Sequence, residues 1–298
     1  MDCLKIGDIV ARKSYGCDIF FKVVDIRKEG DGNTAVLKGI CYRILADAPE
    51  SDLVLQSDEH VNEHYTRMNT IVDKKYREIS MVRERTFQKR MSFKDFRDTP
   101  KESNQKFTKP GKVLHIDGDN DYLSTCIEQY SKFGIEVVGK YVNEKEQSSI
   151  VPKLLREFRP DILVLTGHDG VIKGEDRYLD LNKYTNSKYF IEAVKEARKY
   201  APDMDSLIIF AGACQSAYKE IISAGANFAS SPYRVLIHAL DPVFICQKIA
   251  NASFEKILDP VEVINNTITG MKGIGGIQTR GKCRTGFPLE PRKDYFTY

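Results

Sequence analysis

The pattern of apolar and polar positions divides the chain into three segments, 1–56, 57–111 and 112–298. In the last segment, short apolar runs alternate with stretches whose apolar residues recur every three or four positions. Short apolar runs bounded by turn residues indicate buried strands, and the longer period indicates amphipathic helices. This alternation predicts an α/β domain, a parallel β-sheet with helices on both faces.

The predicted elements of segment 112–298 are separated by short connections. The strands are 113–117, 135–142, the run that leads to His168, the run that leads to Cys214, and 226–229; the helices are 122–133, 150–158, 189–200, 217–223 and 241–250. Pro152 is expected in the first turn of its helix, and Asp241 is expected to cap the last helix. The glycine-rich stretch 273–286 is expected to form a hairpin or an ordered loop, because it lacks the strand-to-helix context of a nucleotide-binding loop.

Segment 1–56 has short apolar runs at 9–11, 19–24 and 34–42, separated by turns. Strands of this length and spacing predict a small SH3-like β-barrel. The opening run Ile6-Gly-Asp-Ile-Val10 is typical of such barrels. A barrel of this kind either binds a partner or only packs against the rest of the chain, and the fold does not decide between the two.

Segment 57–111 combines a charged helix with a linker. Apolar residues from Val61 to Val82 recur every three or four positions, which predicts an amphipathic helix over 58–91. The aperiodic, polar stretch 92–110 contains two prolines and is predicted to be a linker. The basic side of the helix is either a solvated face or, on a second interpretation, part of an arginine-rich cleavage target between about 67 and 97.

Composition limits the possible functions. The 298 residues are 42% hydrophobic and 29% charged, as in ordinary globular proteins. The net charge of +3 is too small to indicate a nucleic-acid partner, and no apolar stretch approaches the roughly 20 residues of a membrane helix. The seven cysteines are scattered singly, and the first residues lack the pattern of a secretory signal. We therefore expect a cytoplasmic protein without disulfides, metal or cofactor, and with neither a nucleic-acid nor a membrane partner.

Two residues with reactive side chains follow central apolar runs. His168 lies in Thr-Gly-His-Asp-Gly after one run, and Cys214 lies in Ala-Gly-Ala-Cys-Gln-Ser after the next. Because the carboxyl ends of parallel strands share one edge of a sheet, the imidazole and the thiol are expected to lie together. This arrangement is typical of a cysteine nucleophile paired with a histidine.

The surroundings of Cys214 favour a reactive cysteine over a structural one. Small residues precede it, so another backbone can approach, and the helix predicted after it places the thiol near a helix N-terminus, which lowers a thiol pKa. The other cysteines and histidines lack such a context and are predicted to be structural: Cys3, Cys17, Cys41, Cys126, Cys246, Cys283, His60, His64, His115 and His238.

These two motifs resemble those of the caspase-type cysteine peptidases. In the caspase signature a histidine precedes a Gln-Ala-Cys motif by about 50 residues, and here His168 and Cys214 are 46 residues apart. Two positions differ from the family pattern. Asp169 separates His168 from Gly170, and Gly212 replaces the glutamine before Ala-Cys.

The chain as a whole resembles the YabG family of sporulation-specific cysteine peptidases. The resemblance covers Ile6-Gly-Asp-Ile-Val10, the His168 and Cys214 motifs, and Ser230-Ser-Pro-Tyr-Arg-Val-Leu-Ile-His-Ala-Leu-Asp-Pro242. It implies cleavage of spore coat and cortex-associated proteins after arginine, and self-processing. It also implies a place in the sporulating mother cell, in association with the forming spore coat.

The residues themselves predict a mechanism. The Cys214 thiolate attacks the scissile carbonyl to form an acyl-enzyme, and His168 protonates the leaving amine before it activates water. The amide of Cys214, with that of Gly170 or Asp169, is expected to stabilise the oxyanion.

Cleavage after arginine requires a carboxylate, because a guanidinium pairs with one in a bidentate way. In arginine-specific relatives of the caspase type, an aspartate at the end of the first strand has this role. We therefore expect Asp117 first, Asp119 second and Asp169 third as the residue that binds the substrate arginine. Asp119 is alternatively a helix cap, and Asp169 a turn residue.

Two alternatives come from other classes of protein. Aspartates at strand ends are also typical of a receiver-like signalling domain that binds Mg²⁺. Such a domain needs a lysine after a later strand, which the stretch 228–232 lacks, and it leaves His168 and Cys214 unexplained. The other alternative is a non-catalytic scaffold that binds coat proteins through the barrel.

Overall fold

The N-terminal segment forms a five-stranded antiparallel sheet. The computed structural model describes residues 4–29, 32–94, 107–171, 180–233 and 235–286, with the backbone alone for residue 29 and residues 83–94. The strands are β1 (Ile9–Arg12), β2 (Phe20–Glu29), β3 (Gly32–Gly39), β4 (Leu45–Pro49) and β5 (Leu53–Leu55).

The spatial order of this N-terminal sheet is β4-β3-β2-β1-β5. Val10, Val23 and Leu37 are fully buried in its own small core. The sheet is open, with β4 and β5 at its two edges, so the predicted closed barrel is not confirmed. The pattern did predict β1, β2 and β3. It missed β4 and β5, because short edge strands bury few apolar residues.

A long helix follows this sheet. Helix α1 spans Asp58–Lys94, which confirms the predicted amphipathic helix. Its apolar side contributes Ile79 to the core of the main domain, and the Tyr76 ring packs on Phe133 at 5.1 Å. Of the predicted linker, residues 95–106 lie outside the described residues, and 107–109 form strand β6 (Phe107–Lys109).

The main domain contains a six-stranded sheet. Its strands are β7 (Val113–Asp117), β8 (Val137–Tyr141), β9 (Ile162–Thr166), β10 (Ile208–Ala211), β11 (Phe228–Ser230) and β13 (Ile274–Gly276). The order is β13-β11-β10-β9-β7-β8, and all pairs are parallel except that of β13 with β11. The predicted parallel sheet is therefore confirmed, and β9 lies at its centre between β7 and β10.

Helices cover both faces of this sheet, as predicted. They are α2 (Asn120–Lys132), α3 (Glu144–Phe158), α4 (Ser187–Tyr200), α5 (Tyr218–Ser223), α6 (Asp241–Asn251) and α7 (Pro260–Ile264). Helices α2 and α6 belong to one buried cluster, with Tyr130 and Phe244. Helices α3 and α4 belong to another, with Leu155 and Phe190. Two apolar layers thus enclose the strands that lead to the candidate site.

Three local predictions were wrong. Pro152 lies in the middle of α3, because that helix begins earlier, at Glu144. The cap residue of α6 is Leu240, and Asp241 is the first residue of the helix. The Asp241 carboxylate instead accepts hydrogen bonds from the His238 and Ile268 N–H groups. Of the two alternatives predicted for 273–286, the hairpin is wrong, since β13, β14 (Thr279–Arg280) and β15 (Arg284–Gly286) pair with β11, β12 (Ile257–Leu258) and β6, respectively.

In the part of the chain that the structure describes, no helix combines the length and the apolar character that crossing a bilayer requires.

Candidate active site

The loops after β7, β9 and β10 carry the candidate residues. These strands are parallel neighbours, so their carboxyl ends lie at one edge of the main sheet. Asp117 ends β7, His168 follows β9, and Cys214 follows β10. The topology therefore brings the three predicted positions to the same edge.

A glutamate that the sequence analysis missed supports the histidine loop. Glu144 begins α3 and is 5% exposed, and its Oε1 accepts a hydrogen bond from the His168 N–H at 2.7 Å. A Cβ atom added to Gly118 or Gly167 would lie 2.2 Å from this oxygen. Only glycine leaves room for the carboxylate at these strand ends, so the two glycines were the available signal in the sequence.

The imidazole of His168 lies between two carboxylates. Its Nε2 is 3.3 Å from Asp119 Oδ2, and its Nδ1 is 3.6 Å from Glu144 Oε1. The Nε2 contact is an ion pair and not an aligned hydrogen bond, since Nε2 has no aligned partner among the described residues. Burial lowers the pKa of His168, but Asp119 and Glu144 outweigh it and raise the pKa to about 9. At neutral pH the ring is an imidazolium, able to donate a proton.

Asp119 is held by several partners. It caps α2 by accepting hydrogen bonds from the Asp121 and Tyr122 N–H groups, and its Oδ2 lies 2.7 Å from Lys38 Nζ. Burial raises the pKa of Asp119, but the contacts with His168 and Lys38 hold it well below its usual range. The carboxylate is therefore charged and orients His168.

Cys214 is fully buried. Its Sγ accepts a hydrogen bond from the Ile237 N–H at 3.3 Å, and burial raises the pKa of the thiol to about 12. The next residue, Gln215, has a left-handed φ of 61°, and its N–H donates to the hydroxyl of Ser231, which has a φ of 71°. Strained residues of this kind cluster at functional sites.

The structure brings His168 and Cys214 to one edge but not into contact. Among the described residues, the imidazole contacts Asp119, Glu144 and the Tyr122 ring, while the thiol contacts the backbone of Ile237. The dyad therefore stays a prediction. In this conformation the thiol is protonated and closed off from solvent.

Asp169 joins the two loops. It is 3% exposed and accepts hydrogen bonds from the hydroxyls of Ser187 and Ser216 and from the Asn186 N–H, and burial raises its pKa. The Gly170 N–H also donates to it, at 2.9 Å. The predicted roles of Asp169 and Gly170 in the oxyanion hole, and of Asp169 in the arginine pocket, stay predictions, since both groups are engaged within the loops.

Asp117 forms a buried ion pair with an arginine of the N-terminal segment. Its Oδ2 lies 2.6 Å from Arg43 Nη1, and neither side chain is exposed. The same oxygen is 3.3 Å from His115 Nε2. Burial raises the pKa of Asp117, but Arg43 outweighs it and holds the pKa well below its usual range. No pattern in the sequence indicates this pairing, because the partners come from different segments.

Comparisons with known proteins indicate a peptidase. The family model of the YabG peptidase U57 matches residues 5–288. The sporulation-specific protease YabG of Bacillus subtilis (strain 168) is 44% identical over 290 residues, which are 96% of this chain and 98% of that protein. Both matches support a peptidase activity. The chain belongs to the YabG peptidase family.

Proposed function

We propose that the protein is a caspase-like cysteine endopeptidase that uses His168 and Cys214. The observation that carries the proposal is the place of these residues, each after one of two adjacent parallel strands at the centre of the main sheet. The strained backbone at Gln215 and the two carboxylates around His168 support it. Asp117 is paired with Arg43, which does not favour the receiver-like alternative, because a metal site needs a free carboxylate.

In the proposed reaction, the Cys214 thiol gives its proton to solvent water and attacks the scissile carbonyl carbon as a thiolate, and the C–N bond of the substrate breaks. The imidazolium of His168 protonates the leaving amine, an acyl-enzyme remains, and neutral His168 then removes a proton from the water that hydrolyses it. The Cys214 N–H, with that of Gly170 or Asp169, is proposed to bind the oxyanion, and one such donor contributes about 3 kcal/mol. The thiol must first move out of its buried position to meet the imidazole.

Specificity for arginine is part of the proposal. Asp117 is the best supported of the three predicted carboxylates, because it already binds a guanidinium at 2.6 Å. Asp119 is engaged with Lys38 and His168, and Asp169 with the serines of two loops. Asp117 is therefore proposed to bind the arginine that precedes the cleaved bond.

The family suggests the substrates and the place of action. We propose cleavage of spore coat and cortex-associated proteins in the sporulating mother cell, at the forming coat. Self-processing within 67–97 also stays a proposal. Residues 67–94 are helical, so cleavage there requires the helix to unwind, and residues 95–97 lie outside the described part of the chain.

A cleavage assay tests the proposal. The full chain is incubated with a peptide that contains one arginine and with a matched peptide that contains glutamine instead. Wild type should cleave after arginine, Cys214→Ala should not, and Cys17→Ala, a control at a partly exposed thiol, should behave like wild type. Cleavage by Cys214→Ala at the same measurable rate as by wild type would contradict the proposal.

A further inference from the structure

The connection between β3 and β4 is bound to the main domain as a short antiparallel strand. The Ala239 N–H donates to the Cys41 carbonyl at 2.9 Å, and the Arg43 N–H donates to the Ile237 carbonyl at 3.2 Å. Between these bonds, Tyr42 and His238 form an antiparallel bridge. An added strand of this kind is a general mode of peptide recognition, in which the main chain supplies affinity and the side chains supply specificity.

The side chain of Arg43 fills a pocket made for a guanidinium. Its Nη1 binds Asp117, its Nε and Nη2 donate to the Ala239 carbonyl at 3.2 and 3.1 Å, and its Nη2 lies 3.3 Å from Cys126 Sγ. The Tyr122 ring covers the guanidinium at 5.2 Å. Charge, hydrogen-bond acceptors and an aromatic face are the features that recognise arginine specifically.

The strand that binds this connection also binds the candidate nucleophile. Ile237 accepts the Arg43 N–H through its carbonyl and donates its own N–H to Cys214 Sγ. Arg43 and Cys214 therefore lie in one continuous site, and neither side chain reaches solvent.

We propose that residues 41–43 are an internal pseudosubstrate that occupies the peptide groove, with Arg43 in the arginine pocket beside Cys214. This inference rests on the proposed peptidase function and adds its regulation. The protein in this conformation is latent, and the connection between β3 and β4 must leave before a substrate peptide binds along 237–239.

The backbone after Arg43 explains why the segment acts as a plug. The Ile44 N–H donates back to the Tyr42 carbonyl at 2.8 Å, so the chain reverses direction at Arg43. The Tyr122 hydroxyl also donates to the Tyr42 carbonyl, at 2.7 Å, and fixes this turn. A bond is cleaved when its carbonyl is held in line with the nucleophile, which an extended backbone allows and this reversal opposes.

Binding of a small guanidinium compound tests the proposal independently of catalysis. The probe is Nα-acetyl-arginine amide, and its affinity is measured by calorimetry on full chains that carry Cys214→Ala. Arg43→Ala empties the pocket and should bind the probe at least tenfold more tightly than the parent chain. Arg12→Ala, which removes another partly buried arginine ion pair with Asp52, should bind it no better than the parent.

Two further variants keep the test decisive. Adding Asp117→Asn to Arg43→Ala should abolish the gain in binding. If Arg43→Ala does not fold, because it leaves Asp117 buried without a partner, Arg43→Lys serves instead. Lysine keeps the charge but lacks the bidentate fork, so the probe should still bind more tightly than to the parent. Equal affinity for the parent and for the folded Arg43 variant would overturn the proposal.

The thiol gives a second measurement, on chains that retain Cys214. Iodoacetamide should modify Cys214 at least tenfold faster in Arg43→Ala than in wild type, and the rate at partly exposed Cys17 should stay unchanged. Equal rates at Cys214 would show that the segment does not close the site. If Cys214→Ala cleaves peptides as fast as wild type, the peptidase proposal fails, but the binding and alkylation results still decide whether Arg43 fills the pocket.

Discussion

Replacing Asp119 by asparagine should lower the pKa of His168. The two side chains approach to 3.3 Å, and the pKa of His168 rises from the ordinary value of 6.5 to about 9. This rise of the pKa means that the surroundings favour the protonated ring over the neutral ring by about 3 kcal/mol of free energy. An opposite charge at this distance accounts for one unit or more, so we expect the pKa to fall to about 8 or below. Asparagine also caps helices well, so α2 should keep its cap.

The assay is an NMR titration of the His168 ring in a Cys214→Ala chain. Asp121→Asn is the matched control, because the Asp121 carboxylate also lies 2.7 Å from Lys38 Nζ but is largely exposed, whereas the ion pairs of His168 among the described residues are with Asp119 and Glu144. The control should leave the pKa of His168 almost unchanged. An unchanged pKa in Asp119→Asn, or an equal fall in both variants, would refute the assignment of Asp119 as the carboxylate that charges the imidazole.

Three other predictions concern the same loops. Because the pKa of His168 is raised, its contribution to stability is complete below pH 6.5 and is lost as the pH rises through about 9. In urea unfolding, the loss of free energy of unfolding caused by His168→Gln should therefore be about 3 kcal/mol larger at pH 6 than at pH 10. Asp169→Ala should lower the free energy of unfolding at pH 7 by about 3 kcal/mol, because several buried donors lose their acceptor; a loss below about 1 kcal/mol would contradict this role. Gly118→Ala should displace the Glu144 carboxylate and lower the pKa of His168 in the NMR titration, whereas Gly32→Ala, where a Cβ meets nothing within 4 Å, should not.

The central strands could be predicted from the sequence because of where they lie. Strands β9 and β10 are buried on both faces, so each is an almost wholly apolar run that ends where the backbone leaves the sheet, whereas His115 and Asp117 interrupt the run in β7. The positions of His168 and Cys214 after these runs followed directly. The edge strand β4 (Leu45–Pro49) includes Asp47 and Pro49 and is only partly buried, so no such run marks it.

The detailed contacts of the site could not be predicted, because they join distant parts of the chain. Arg43 reaches Asp117 only after the N-terminal sheet packs on the main domain. Glu144 reaches the His168 loop because α3 begins beside two strand ends. Neither contact leaves a periodic signal, since each depends on how elements pack and not on the pattern within an element.

The most direct test of the central claim is covalent capture of the nucleophile. A peptide acyloxymethyl ketone that ends in arginine is incubated with the full chain, and the modified residue is located by mass spectrometry. In wild type the label should lie on Cys214, and in Cys214→Ala it should be absent from that site. In His168→Ala the label should form at least about a hundredfold more slowly, as expected when an acid–base catalyst is removed. A label on another residue, or equal labelling rates in His168→Ala and wild type, would contradict a His168–Cys214 cysteine peptidase.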